Sequence, residues 1–195
     1  MNAAPSTNAT PTLTDSVALF ERSTTAMLDV LATITVADLD RPTPCTQWDV
    51  RTLLLHVADV ADAFGVMATT GEFVLTPVAR ADAYLALATQ QRLQILRETL
   101  AAPPVPNRDD HEDNVVSWLT NTAQAGAIEY ATHTWDIARA LGVDALPEGL
   151  AAEVLALATA LIADDSRPPV FGPRLAAAET SPASEQLAAE EGRRP

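Results

Sequence analysis

Long apolar stretches that repeat at threes and fours, and never alternate over a useful length, most restrict the folds open to this chain. Leu13, Val17, Phe20, Met27 and Leu31 recur at that spacing, which lays a stripe along one face of a helix at about 3.6 residues per turn. A half-buried strand would need apolar and polar residues in alternation. The first helix is expected from about Leu13 to Ile34, followed by Thr35-Val36-Ala37-Asp38, which has the pattern of a capping box. Pro42 and Pro44 then break the chain. Asp49 reads as the N-cap of a second helix reaching about Ala68, with Leu53, Leu54, Val57, Ala61 and Phe64 as its core stripe. Thr76 as cap and Pro77 at the first helical position open a third, which runs to about Leu100. Residues 101–114 form a Pro-rich and then acidic loop, Val115 to Leu141 a fourth helix stopped at Gly142, and Pro147 to about Ala163 a fifth. Past Ser166, prolines and glycines leave room for one or two helical turns between Ser184 and Glu191. No internal repeat is found. The fold class is therefore all-α, a bundle of four main helices. The expected organisation is a disordered lead-in over 1–12, a helical bundle over 13–165, and a tail over 166–195 packed on or near it.

Composition narrows the functions. A length of 195 residues suits one domain with a sizeable core. The net charge of −14 leaves no basic patch for nucleic acid or an anionic membrane surface. Charges or prolines interrupt every long apolar run, so no membrane span is expected. The polar N-terminus does not read as a secretion signal, which makes the cytoplasm the expected location. One cysteine, Cys45, excludes an internal disulfide and a multi-cysteine metal site.

Chemistry enters through the histidines, of which there are three. His133 follows Glu129 by four residues on the fourth helix, so both side chains leave one face. The same spacing describes an ordinary solvent-facing pair. His56, however, sits at the edge of the stripe of the second helix, and helical bundles build metal sites from side chains on facing helices. Two imidazoles and a carboxylate would hold a divalent cation and leave a coordination position open for water or substrate. Zinc suits these ligands, and nickel, iron or manganese are compatible with them. Asp136 and Arg139 are candidates to orient a ligand or the substrate, with an ion pair along the helix as the alternative. His111, in an acidic loop, reads as solvated. Cys45 reads as a buried structural thiol.

Two segments carry a family resemblance. Thr43-Pro44-Cys45-Thr46-Gln47-Trp48-Asp49-Val50-Arg51-Thr52-Leu53-Leu54-Leu55-His56 and His133-Thr134-Trp135-Asp136-Ile137-Ala138-Arg139-Ala140 closely resemble the two signatures of an actinobacterial metal-binding family. That family is related to the N-terminal domain of mycothiol-dependent maleylpyruvate isomerase, within the DinB/YfiT-like superfamily. Phe171-Gly172-Pro173 and Gly192-Arg193-Arg194-Pro195 resemble its C-terminal marks. The resemblance implies a DinB-like four-helix bundle with a long crossover connection, to which the residue pattern adds a C-terminal helix and an extended tail. It also implies a divalent metal, most often zinc, on His56, Glu129 and His133. Relatives use such a metal to activate a low-molecular-weight thiol, mycothiol or bacillithiol, toward electrophilic small molecules, and are often homodimers. The isomerase is similar only over its N-terminal domain, and the C-terminal domain that helps complete its active site is not expected here. The function expected is a metal-dependent thiol S-transferase or isomerase-like enzyme acting on a small electrophile. The alternatives are a metal-dependent hydrolase and a non-catalytic metal-binding module. The catalytic group beyond a metal-bound nucleophile is not specified.

Overall fold

Thr12 starts the first helix by a reciprocal cap. Its hydroxyl accepts the Asp15 N–H at 3.2 Å, and the Asp15 carboxylate accepts the Thr12 N–H at 3.1 Å, which satisfies donors that the first turn would otherwise leave free. The computed structural model describes residues 11–79, 81–102, 112–167 and 171–194. Among these are α1 (Leu13–Leu31), α2 (Val50–Thr70), α3 (Leu85–Ala101), α4 (Glu112–Leu141), α5 (Glu148–Leu161) and α6 (Ala183–Glu190), with three single-turn 3-10 segments. No strand occurs among the described residues. His111 and most of the loop assigned to residues 101–114 lie outside them, as do residues 1–10 of the N-terminal segment.

The fold is an all-α, DinB-like four-helix bundle. α1 packs on α4 and α3, and α2 packs on α3 and α4, so α1 and α2 occupy opposite corners although they are consecutive in the chain. Residues 32–49 make that long crossover. They hold the capped 3-10 turn Val36–Asp38, where Asp38 accepts the Thr35 N–H at 3.0 Å. Phe20, Met27, Leu53, Leu54, Val57, Leu93, Leu96 and Tyr130 fill the centre. α5 and α6 add a second apolar cluster against the outer face of α4, built on Ile128, Trp135, Leu150, Val154 and Leu187.

The caps lie where the sequence puts them. Asp49 accepts the Thr52 N–H at 2.8 Å to open α2, and Gly142 leaves α4 at φ +71°. α2 ends at Gly71 with φ +77°, where a Cβ would stand 2.6 Å from the Trp118 ring. Glycine is required there both by the backbone and by the close approach.

One expectation needs correction. The third helix does not begin at Thr76 and Pro77. Residues 72–79 run without regular structure, a 3-10 turn covers Asp82–Tyr84, and α3 starts at Leu85. The cause is tertiary: the Val78 N–H is taken by the Asp59 carboxylate of α2 at 3.3 Å, so it has no need of a helix cap. Among the described helices, α2 is long and apolar enough to cross a membrane by length and composition. It packs on α3 and α4, with 56% of its apolar window buried, as in a core helix of a bundle.

A candidate metal centre between two helices

His56 projects from α2 across to α4, which supplies Glu129 and His133 from successive turns. Both imidazoles direct Nε2 at one carboxylate oxygen: His56 Nε2 stands 2.9 Å and His133 Nε2 3.2 Å from Glu129 Oε1. The ring centroids of the two histidines are 5.2 Å apart and nearly perpendicular. Donor atoms from the three residues all lie within 4.8 Å of one another. Glu129 Oε1 is buried, yet neither close nitrogen meets it in hydrogen-bonding geometry. A buried acceptor without a bond is costly. Three lone-pair donors converging on one point are the arrangement a cation relieves, and nitrogen and oxygen ligands of this kind fit a divalent ion.

Asp136 stands behind His133. It is fully buried and accepts from three sides: His133 Nδ1 at 2.9 Å, Arg193 Nε at 3.0 Å and the Cys45 thiol at 3.3 Å. The bond to Nδ1 fixes the tautomer that leaves the Nε2 lone pair facing Glu129. Burial works against the charge of Asp136, but the bond to His133 and the guanidinium of Arg193 hold its carboxyl below the usual range. In the absence of a cation, protons take the central position. Burial opposes the charge of Glu129, and the neighbouring His133 and His56 imidazoles outweigh it and hold the carboxyl well below its ordinary value. Burial likewise opposes the charge of His133, and Glu129 and Asp136 outweigh it and raise the imidazole well above its ordinary value.

The crossover and the tail complete the walls. A turn at residues 45–48, closed by Trp48 N–H to the Cys45 carbonyl at 3.0 Å, places Cys45 half-buried at the site and tilts Trp48 against His56, with ring centroids 4.8 Å apart. Cys45 is therefore a wall of the site and not an interior structural thiol. Arg193 reaches in from beyond α6, binding Asp136 and the Glu191 carboxylate, with Nη2 3.5 Å from Cys45 Sγ. Glu191 is buried and accepts the Thr132 hydroxyl at 2.6 Å. Burial pushes its carboxyl up to about 7.

Of the residues singled out in the sequence, His56, Glu129, His133 and Asp136 meet here. Arg139 does not. It is exposed, 5.5 Å over the Trp135 ring on the far side of α4, and the guanidinium at the site is that of Arg193. Arg193, Glu191, Trp48 and the role of Cys45 were missed. The only signal for Arg193 was its place in the closing Gly192-Arg193 motif, which says nothing about which carboxylate it meets.

The topology and this convergence of two histidines and a glutamate define a DinB-like helical domain with a candidate metal centre. The chain belongs to the family described as the mycothiol maleylpyruvate isomerase N-terminal domain, which matches residues 20–138. It is also similar to two uncharacterized proteins of Mycobacterium tuberculosis, one from strain CDC 1551 and one from strain H37Rv. Each is 31% identical over 189 residues, covering 92% of this chain and 98% of the relative. No solved structure matches significantly.

Proposed function

We propose that this protein holds a divalent metal, zinc before nickel, iron or manganese, on His56, Glu129 and His133, and that it joins a low-molecular-weight thiol of the mycothiol kind to a small electrophile. The observation that carries this reading is the buried Glu129 Oε1, faced by two imidazole nitrogens and hydrogen-bonded to neither. A cation at such a set lowers the pKa of a thiol or water beside it. The chain's own residues do the rest. Asp136 orients His133 and holds the proton on Nδ1, so that Nε2 is the nitrogen turned to a cation, Arg193 balances the charge of Asp136, and Trp48 holds the ring of His56. Cys45, Thr46, Glu191 and Arg193, together with Trp48 and Phe171, line a cavity of about 280 Å³ that opens on the three ligands, and its polar groups suit the hydrophilic part of a thiol cosubstrate.

Metal analysis of the purified protein tests the first half. One equivalent per chain is expected for the wild type, with loss in the His56→Ala, His133→Ala double variant; full occupancy in that variant would reject the site. Thiol consumption in the presence of an electrophile tests the second half. Metal-dependent turnover without any thiol would identify a hydrolase instead, and a metal-replete protein inert across a broad panel would point to a binding module.

A further inference from the structure

A second cavity, of about 650 Å³, opens on the other side of His56 and Glu129. Its size falls in the range of small-molecule sites, roughly 300–1,000 Å³. Trp48, Phe64, Phe73, Leu75, Ile128 and Phe171 make most of its wall. Its polar groups besides His56 and Glu129 are Asn121 and Gln124, and among the described residues no arginine or lysine lines it. Phe73 and Leu75 are 50% and 46% exposed at its mouth. They belong to the irregular segment after α2, and Phe73 leans on Phe64 with ring centroids 5.5 Å apart.

We infer that this cavity binds an uncharged, largely apolar small molecule, an aromatic or aliphatic compound with one or two hydrogen-bonding groups for Asn121 and Gln124. It rests on the proposed function only in taking the cavity as the substrate side of the site. Three observations favour that class over a dicarboxylate. Away from His56 and Glu129 the wall is apolar and offers no cationic side chain among the described residues, so an ionised carboxylate placed against that part would lose its hydration without a partner. The chain carries a net charge of −14, so its field opposes the entry of anions. The half-exposed Phe73 and Leu75 side chains at the mouth gain by being covered, at about 25 cal/mol per Å² of apolar surface.

Prodan, an uncharged naphthalene ketone whose emission shifts to the blue in apolar surroundings, serves as the probe. It is titrated into the folded, full-length protein, both chelator-treated and zinc-supplemented. Binding with a blue shift is expected in both forms, with displacement by uncharged aromatic ketones and none by maleate at equal concentration. Ala125→Trp, which projects an indole into the cavity, is expected to weaken binding about tenfold or more, the equivalent of about 1.4 kcal/mol. Phe73→Ser, on the irregular segment where no helix is disturbed, is expected to weaken it several-fold. Circular dichroism and a melting curve identify a variant that fails to fold, and Phe73→Ser then decides alone. Absence of binding to the wild type, displacement by maleate, or unchanged affinity in the folded variants would overturn the inference. Failure of the metal reading appears separately, as absence of retained zinc with prodan binding intact.

Discussion

Gln47 is the only non-glycine residue with positive φ, +73°, among the described positions. It is the third residue of the turn that Trp48 N–H closes on the Cys45 carbonyl, where the left-handed conformation is required and glycine is the favoured residue. A β-carbon there costs about 1–2 kcal/mol. Glycine in turn carries more freedom in the unfolded chain, worth about 0.5–1 kcal/mol. Gln47→Gly should therefore raise stability by about 0.5–1 kcal/mol, read as a higher urea midpoint at unchanged slope. A lower midpoint would mean that the side chain of Gln47 contributes more than its backbone loses. The strain lies between two residues that line the site, Cys45 and Trp48, so it is spent on holding a wall in place. None of this was legible from the sequence, because Gln at that position signals no turn. The pair Glu129 and His133 was legible for the opposite reason: four residues on a helix fix the relative direction of two side chains without help from the rest of the molecule.

The shortest α-helix among the described residues has the longest reach. α6 spans eight residues, too few to be stable alone, and is held by the buried Leu187 and by Arg167. Arg167 is itself buried and binds the Glu190 carboxylate and the Glu190 carbonyl, each at 2.6 Å. Immediately beyond it the chain crosses the earlier Phe171-Gly172-Pro173 segment. Gly192 has φ +84°, and a Cβ on it would lie 2.7 Å from the Gly172 Cα and 3.0 Å from the Pro173 carbonyl oxygen. Both glycines of the C-terminal motifs are thus explained by one crossing, which delivers Arg193 to Asp136. Gly192→Ala should cost about 1–3 kcal/mol through the positive φ and the backbone contact. It should also weaken the hold on Asp136, so that the Nδ1 resonance of His133 in a nitrogen-15 spectrum shifts. An unchanged melting temperature would show that the crossing yields easily. Elements whose ends are set by local caps, such as Asp49 for α2, were readable from sequence. The start of α3 was not, since it depends on Asp59 of another helix accepting the Val78 N–H. Arg193 was not either, because 57 positions separate it from Asp136.

At the scale of the whole molecule, the bundle was foreseeable because its stripes are continuous, whereas the charge balance of its interior is a property of the assembled fold. That balance sets how stability responds to pH. His133 binds its proton more tightly folded than unfolded, where the ordinary value is 6.5. Its contribution is therefore complete below 6.5 and is lost as pH rises through the raised folded value. Glu191, raised from 4.5 to about 7 by burial, acts in the same direction: the folded state holds a proton that the unfolded state has released, so stability falls between 4.5 and 7. Glu129 and Asp136, both held low, add stability that is lost only as pH falls into the acid range. Metal-free protein should then be most stable in mildly acidic solution and should lose melting temperature through neutrality. Glu191→Gln keeps an acceptor for Thr132 without a titrating proton and should flatten that decline, by about 3 kcal/mol at most. Zinc competes with the proton on His133, so its stabilisation should be small in mild acid and grow as pH rises. Melting curves with and without zinc should diverge progressively as pH rises in the wild type and coincide in His133→Ala. Parallel curves at every pH would place the cation somewhere other than His133, and divergence retained in His133→Ala would exclude that histidine as a ligand.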